Sequence, residues 1–193
     1  MPRINSKKFY IASLKKHGIT PQGLHWFGKE SQEKRFDILL EMLPPRLEEF
    51  SLADAGCGFG DFYHYIQSKS LRPKNYIGID SIKEMCMITS ERTGQQTLHA
   101  DICKEALPKA DYYICSGAMN ILSEFETYLF IKNCYDASKK AFLFNILHGE
   151  IKSKMYNYVT KQKLQKIAEE LGVAKVEFQE EYMEGDISVA FFK

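Results

Sequence analysis

The sequence predicts an α/β fold in which one mixed β-sheet carries helices on both faces. Between residues 50 and 147, short apolar runs alternate with helical segments. Apolar strands between amphipathic helices indicate parallel strands that are buried on both sides. The last two apolar runs are joined only by the short turn Glu184–Asp186, and short turns connect antiparallel strands. We therefore expect five parallel strands followed by a C-terminal antiparallel hairpin.

Two helices are predicted ahead of the sheet. Residues 3–17 form a basic helical segment, and residues 31–43 place their apolar side chains on one helical stripe. The loop between them is rich in aromatic residues and contains Trp26, the only tryptophan of the chain. We expect residues 1–45 to form an N-terminal helical lid and residues 46–193 to form one compact domain.

The elements of this domain follow one another in a regular order. A strand that ends at Ala55 leads through a glycine loop into a helix, and the last helix is closed by Gly172 before the hairpin begins. The predicted strands are residues 50–55, 76–80, 97–100, 111–115, 141–147, 174–182 and 187–192. The predicted helices between them are residues 62–68, 82–92, 123–138 and 161–171.

The composition sets several classes of protein aside. A hydrophobic fraction of 45% is ordinary for a globular domain, and a formal net charge of +1 does not favour nucleic acid or an anionic membrane as a partner. No apolar run approaches the roughly 20 residues that span a bilayer. The five cysteines include no C-x-x-C pair, which argues against a disulfide framework and against a zinc site. We expect a cytoplasmic protein without a metal, as a monomer or homodimer.

The most informative segment begins at Asp54, where the first strand turns into a helix. Glycines allow a tight turn and a close approach of a ligand. A dinucleotide-binding loop would need Gly or Ala at position 61, and a carboxylate there repels a pyrophosphate, so Asp61 argues against a nicotinamide oxidoreductase. Asp54 suits a cationic ligand, such as S-adenosylmethionine, which has a sulfonium, an ammonium and no phosphate. The loop residues assigned to this ligand are Gly56, Cys57, Gly58 and Gly60.

Acidic residues end the next two strands. Asp80 lies 20 residues beyond the last glycine of the loop, the spacing at which a carboxylate reaches ribose hydroxyls, and Ser81 and Ile82 follow it. Asp101 can accept a hydrogen bond from the adenine amine, while Ile102 packs on the ring. Asp80 alone also fits a helix cap, and Asp101 alone a turn. Together with the glycine loop they predict a nucleoside site.

These segments resemble the motifs of a known family, the class I S-adenosylmethionine-dependent methyltransferases. The first four motifs correspond to residues 52–62, 76–85, 98–103 and 111–118. The resemblance covers about residues 46–193, and it implies a Rossmann-like seven-stranded sheet with an antiparallel last strand. A narrower likeness is to a group of mostly uncharacterised bacterial methyltransferases, in residues 16–23, 31–35, 58–62 and 116–120.

The resemblance also implies which residues line the transfer site. Ser116 and Gly117 are expected to contact the cofactor through backbone groups, and Asn120 to orient the acceptor or to serve as a cap. Gln32 and Arg35 lie one helical turn apart. They are expected to face the cofactor's carboxylate, the alternative being a solvated helix face.

Several further side chains are candidates for the acceptor region. Trp26 is interpreted as an aromatic wall over the methyl donor or as a staple between lid and core. Among the histidines, His148 is the preferred candidate base, ahead of His17 and His25. Lysines mixed with tyrosines between residues 152 and 166 fit either an RNA surface or, preferably, a solvated helix.

The sequence thus predicts a methyltransferase whose acceptor is unidentified and is expected to be a small molecule. The alternatives are a non-catalytic cofactor-binding module with the same fold and an RNA methyltransferase.

Overall fold

A computed structural model describes residues 5–193, so Arg3 and Ile4 of the first predicted helix lie outside the described residues. Seven strands of the described part of the chain form one sheet: β1 Ser51–Ala55, β2 Asn75–Asp80, β3 Gln96–His99, β4 Ala110–Ser116, β5 Ser138–Leu147, β6 Lys175–Gln179 and β7 Asp186–Phe192. Their order in the sheet is β3-β2-β1-β4-β5-β7-β6. The first five strands are parallel, and β7 runs antiparallel between β5 and β6. This arrangement confirms the predicted five parallel strands and terminal hairpin.

Between residues 5 and 193, six α-helices accompany the sheet, and their ends follow local capping chemistry. Asn5 accepts a hydrogen bond from the backbone of Lys8 at the start of the first helix, and Ser123 and Glu126 form a capping box at the fifth. The helices are α1 Ser6–His17, α2 Lys29–Glu41, α3 Asp61–Ser68, α4 Lys83–Thr93, α5 Glu124–Ala137 and α6 Lys161–Glu170. None of them, within residues 5–193, has the length and apolar character needed to cross a membrane.

The two faces of the sheet carry separate hydrophobic layers. Because side chains alternate along a strand, Phe142 and Phe144 of β5 pack in one layer, whereas Leu143 packs in the other. The first layer includes residues of α5 and α6, and the second includes residues of α2 and α3. The carboxyl ends of β1 to β4 remain at one edge, where parallel sheets bind ligands.

Helix α2 packs against one face of the sheet. Phe36 and Leu39 of α2 are buried with Leu52 of β1 and Phe62 of α3. The segment that precedes α2 packs differently, since its side chains lie at the carboxyl edge of the strands. We expect a lid at residues 1–45, and this packing leads us to propose that only the segment before α2 covers the cavity.

The C-terminal hairpin has a longer connection than predicted. Strand β6 ends at Gln179, and the chain turns through Glu181, whose φ is +66°, before β7 begins at Asp186. The predicted strand end at Tyr182 fails because this side chain turns towards Asp186, to which its hydroxyl donates a hydrogen bond of 2.6 Å.

Candidate functional site

A cavity of about 500 Å³ lies at the carboxyl ends of β1 to β4. The ends of the strands and the loops that follow them form its floor. Helix α1 and the loop before α2 form its cover. The floor contains most of the residues that the sequence assigns to the ligand: Gly56, Gly58, Asp80, Ser81, Ile82, Asp101, Ile102, Ser116 and Gly117.

The glycine loop turns where a side chain would not fit. Gly56 has a φ of +83°, and a Cβ atom on it would lie 2.3 Å from the Cβ atom of Ala118. Gly58 has a φ of +54° and contacts Leu24 of the cover. Gly60 faces away from the cavity, because a Cβ atom on it would lie 2.7 Å from Thr93 of α4. The third glycine thus brings the loop close to α4 and is not a lining residue.

Asp80 organises the floor of the cavity. One carboxylate oxygen accepts a hydrogen bond of 3.1 Å from the Gly58 N–H, and the other accepts one of 2.9 Å from the Ile82 N–H. A carboxylate has about four acceptor positions, so it can still bind ligand hydroxyls. Burial raises the pKa of Asp80 to about 6, against the lowering effect of its backbone hydrogen bonds.

Asp54 and Cys57 do not line the cavity, which differs from their predicted contact with the ligand. Asp54 is buried beneath the loop and accepts a hydrogen bond of 2.6 Å from the Tyr76 hydroxyl, and burial raises its pKa to about 7. Cys57 is buried with its sulfur 3.5 Å from the Thr89 hydroxyl. Both side chains therefore support the loop from behind.

Asp101 and Ile102 follow β3 and line the floor of the cavity there. Asp101 accepts hydrogen bonds from the Cys103 N–H at 3.1 Å and from the Lys104 ammonium at 2.7 Å. Ile102 is buried, and its carbonyl oxygen accepts a hydrogen bond of 2.8 Å from Asn133. An acid and an apolar side chain thus meet at one end of the cavity, and their role towards an adenine stays a prediction.

The end of β4 forms the middle of the floor. Gly117 has a φ of +73°, and a Cβ atom on it would lie 2.6 Å from the ring of Trp26. Asn120 lines the cavity, and its side-chain oxygen accepts a hydrogen bond of 3.1 Å from the Leu147 N–H. Its amide group has no hydrogen bond within residues 5–193, so it is available to a ligand.

Helix α1, which belongs to the predicted lid, supplies lining residues that the sequence analysis did not single out. Phe9 and Tyr10 line the cavity, and Tyr10 packs with Leu24 against Ile82 and Met85. The adjacent aromatic residues in an otherwise basic helix were the only available signal. Further lining residues that were not predicted are Asn5, Ser6, Lys7, Met85, Cys103, Ala118, Ile121, Leu122 and Phe130.

Gln32 and Arg35 do not face the cavity, contrary to the prediction. Gln32 donates a hydrogen bond of 3.1 Å to Asp61. Arg35 is buried and donates one of 2.5 Å to Asp186. A buried guanidinium requires a counter-charge, and β7 supplies it, so Arg35 is not directed at a ligand carboxylate.

The histidines are placed differently from what we expected. The ring of His148 lies 2.9 Å from the Val159 carbonyl oxygen and 3.6 Å from Glu180, and it does not line the cavity. His25 does line it, with its ring stacked on Phe9 at 3.9 Å between centroids. Burial lowers the pKa of His25, which favours the neutral ring, the form that can accept a proton.

The lysines near the C-terminal helix are paired with acids. Lys161 forms an ion pair with Glu180, and Lys163 forms one of 2.6 Å with Glu124. The Lys166 ammonium lies 4.0 Å from a carboxylate oxygen of the next helical turn. These contacts favour the interpretation as a solvated helix over an RNA surface.

Comparisons with known proteins agree with this geometry, although no family model matches the chain. "Putative methyltransferase Rv1506c" of Mycobacterium tuberculosis (strain ATCC 25618 / H37Rv) is 29% identical over 110 residues, which are 52% of this chain and 64% of that protein. The aligned part is thus less than two thirds of that relative.

Two solved structures have a similar fold. Magnesium protoporphyrin IX methyltransferase from Synechocystis PCC 6803, with bound S-adenosylmethionine, is 13% identical, with a TM-score of 0.67 over 100% of this chain and 99% of that chain. An S-adenosylmethionine dependent methyltransferase from Mesorhizobium loti is 16% identical, with a TM-score of 0.65 over 83% and 98%. The chain has their fold, which confirms the fold that the resemblance implies.

Proposed function

We propose that this chain, which has the class I methyltransferase fold, is an S-adenosylmethionine-dependent methyltransferase. The observation that carries the proposal is that Gly56, Asp80 and Asp101 line one cavity, although they follow three different strands. Glycine backbone, a buried carboxylate and a second acid beside an apolar side chain are what an adenosine ligand without phosphate requires.

Each part of the floor suits one part of this cofactor. Asp80 would accept hydrogen bonds from the ribose hydroxyls, since its carboxylate is fixed by two backbone N–H groups. Ile82 and Ile102 would pack on the adenine, with Asp101 near its amine. The backbone of Ser116 and Gly117 would contact the methionine part. Gly58 lines the cavity and donates its N–H to Asp80, so it would hold the carboxylate in place for the ribose.

S-adenosylmethionine, when bound, would supply a methyl group that an acceptor nucleophile attacks in line, so that the bond from carbon to the sulfonium sulfur breaks and S-adenosylhomocysteine leaves. The chain's contribution is mainly to hold both reactants in this geometry, because proximity and orientation can supply much of the reduction in the barrier. The amide of Asn120 is suited to orient an acceptor. His25 is suited to take a proton from an acceptor that must lose one.

The cover favours a small, largely apolar or aromatic acceptor. Apart from Lys7 and His25, its lining side chains are uncharged. Lys7 is paired with Glu84 at 3.8 Å. The cavity of about 500 Å³ must hold both reactants, which leaves little room for a large substrate. The aromatic and aliphatic lining residues suited to contact such an acceptor are Phe9, Tyr10, Trp26, Leu122, Phe130 and Tyr156.

A transfer assay tests the proposal. The purified protein would be incubated with S-adenosylmethionine labelled on its methyl group and with either a small-molecule cell extract or total RNA. We expect label to enter the small-molecule fraction, and Asp80→Asn to reduce the transfer at least about tenfold. Transfer to RNA would replace the proposed acceptor class. Tight cofactor binding without transfer to either fraction would favour a non-catalytic binding module.

A further inference from the structure

We propose that Arg35 is a positioning residue, which holds the ring of Trp26 against the end of β4 and so shapes the wall of the cavity. Arg35 does not line the cavity itself, whereas Trp26 does. The inference rests on the proposed function to the extent that the cavity is taken to bind S-adenosylmethionine. The contact between the two side chains can be tested without any ligand.

The position of Arg35 is fixed by a buried ion pair. Its guanidinium contacts Asp186, with side chains that are 6% and 1% exposed, and it also donates a hydrogen bond of 3.0 Å to the Ser31 carbonyl oxygen. Asp186 is held in turn by the Tyr182 hydroxyl at 2.6 Å, which lies 2.9 Å from the Ser188 hydroxyl. The guanidinium plane is therefore anchored to β7.

Trp26 lies between this anchored group and the cavity floor. The central carbon of the Arg35 guanidinium is 4.9 Å from the centroid of the Trp26 ring, which is the geometry of a cation–π contact. The far edge of the same ring approaches Gly117 so closely that a Cβ atom there would lie 2.6 Å from it. The ring thus connects the ion pair at β7 with the end of β4.

This arrangement explains why the buried cation is an arginine. A guanidinium can bind a carboxylate with its edge and stack on an indole with its face at the same time. A lysine ammonium can form the ion pair but has no flat face to hold the ring. We therefore expect Arg35→Lys to loosen Trp26 even where the protein stays folded.

Fluorescence of Trp26 reports on this contact directly, because it is the only tryptophan. In the ligand-free protein, Arg35→Lys should raise the quenching of Trp26 fluorescence by acrylamide about twofold. In a calorimetric titration, the same variant should bind S-adenosylhomocysteine about tenfold more weakly. Arg46→Lys is the matched control, since Arg46 forms an exposed ion pair with Glu49 and should leave both values unchanged. Unchanged quenching in a folded Arg35→Lys variant overturns the proposal.

Two variants of Trp26 test the contact without changing the buried ion pair. Trp26→Phe keeps an aromatic face and should bind S-adenosylhomocysteine within about threefold of the wild type, whereas Trp26→Leu should bind about tenfold more weakly. Equal binding by the two variants contradicts the proposal. Adding Arg35→Lys to Trp26→Leu should cause no further loss, and an additive loss also contradicts it. If the wild type binds no S-adenosylhomocysteine, the proposed function fails, and the acrylamide measurement still decides on Arg35.

Discussion

Asp80 joins the two segments that shape the floor of the cavity. Its carboxylate accepts one hydrogen bond from an N–H group of the glycine loop and another from the N–H group of the residue before α4. The ionised form makes these contacts, yet burial raises the pKa of Asp80 to about 6. The protonation state of one side chain therefore affects both the loop and the proposed ribose contact.

The pH dependence of binding follows from this pKa. Ribose hydroxyls would donate to the carboxylate, so S-adenosylhomocysteine should bind more weakly as the pH falls through about 6. The effect on folding has the opposite sign, because folding raises the pKa of Asp80 from 3.8 to about 6. The stability that Asp80 contributes to the folded protein is therefore fully present below pH 3.8 and is lost as the pH rises through about 6. Calorimetry from pH 5 to pH 8 measures the binding. Asp80→Asn should remove this pH dependence, and an unchanged pH profile in that variant would refute the assignment.

The close approach at Gly56 gives a second prediction at this scale. Gly56→Ala should cost about 1–3 kcal/mol of unfolding free energy through backbone strain and should abolish S-adenosylhomocysteine binding, because the added carbon overlaps Ala118. Gly94→Ala is the control, since Gly94 has a φ of +68° with nothing within 4 Å. Urea denaturation should show a loss in both variants, and calorimetry a loss of binding only in the first. Normal binding by Gly56→Ala would contradict the proposed site.

At the scale of elements, α1 and α2 have different structural roles. Leu39 of α2 is 0% exposed and lies in the core beside the sheet, whereas Leu14 of α1 is partly buried and packs against the small cluster around Phe59. Helix α1 thus covers the cavity, and α2 stabilises the domain. Helical periodicity shows which face of each helix is apolar, but it does not show which layer of the fold receives that face.

The same substitution in each helix tests this division. Leu39→Ala should cost about 2–5 kcal/mol of unfolding free energy, as for other fully buried leucines. Leu14→Ala should cost less than this and should instead weaken the binding of S-adenosylhomocysteine. Urea denaturation and calorimetry measure the two effects. A larger loss of stability from Leu14→Ala than from Leu39→Ala would show that α1 is not a cover.

At the scale of the whole molecule, the sequence predicted the sheet and most of the floor of the cavity. Apolar runs, helical periodicity and the short hairpin connection are local signals, and the strand-end positions of Asp80 and Asp101 follow from them. Arg35 was assigned wrongly to the ligand because its partner, Asp186, lies 151 residues away. Asp54 was assigned to the ligand because it lies near the end of a strand. Its hydrogen-bond partner, Tyr76, lies on the neighbouring strand, and the sequence does not show that pairing.

Calorimetric titration of the wild-type protein with S-adenosylhomocysteine, beside a nicotinamide dinucleotide, tests the central claim most directly. The proposed site predicts one S-adenosylhomocysteine bound per chain, binding at least about tenfold weaker in Asp80→Asn, and no binding of the dinucleotide. Binding of the dinucleotide alone, or of S-adenosylhomocysteine with equal affinity by Asp80→Asn, would contradict the account.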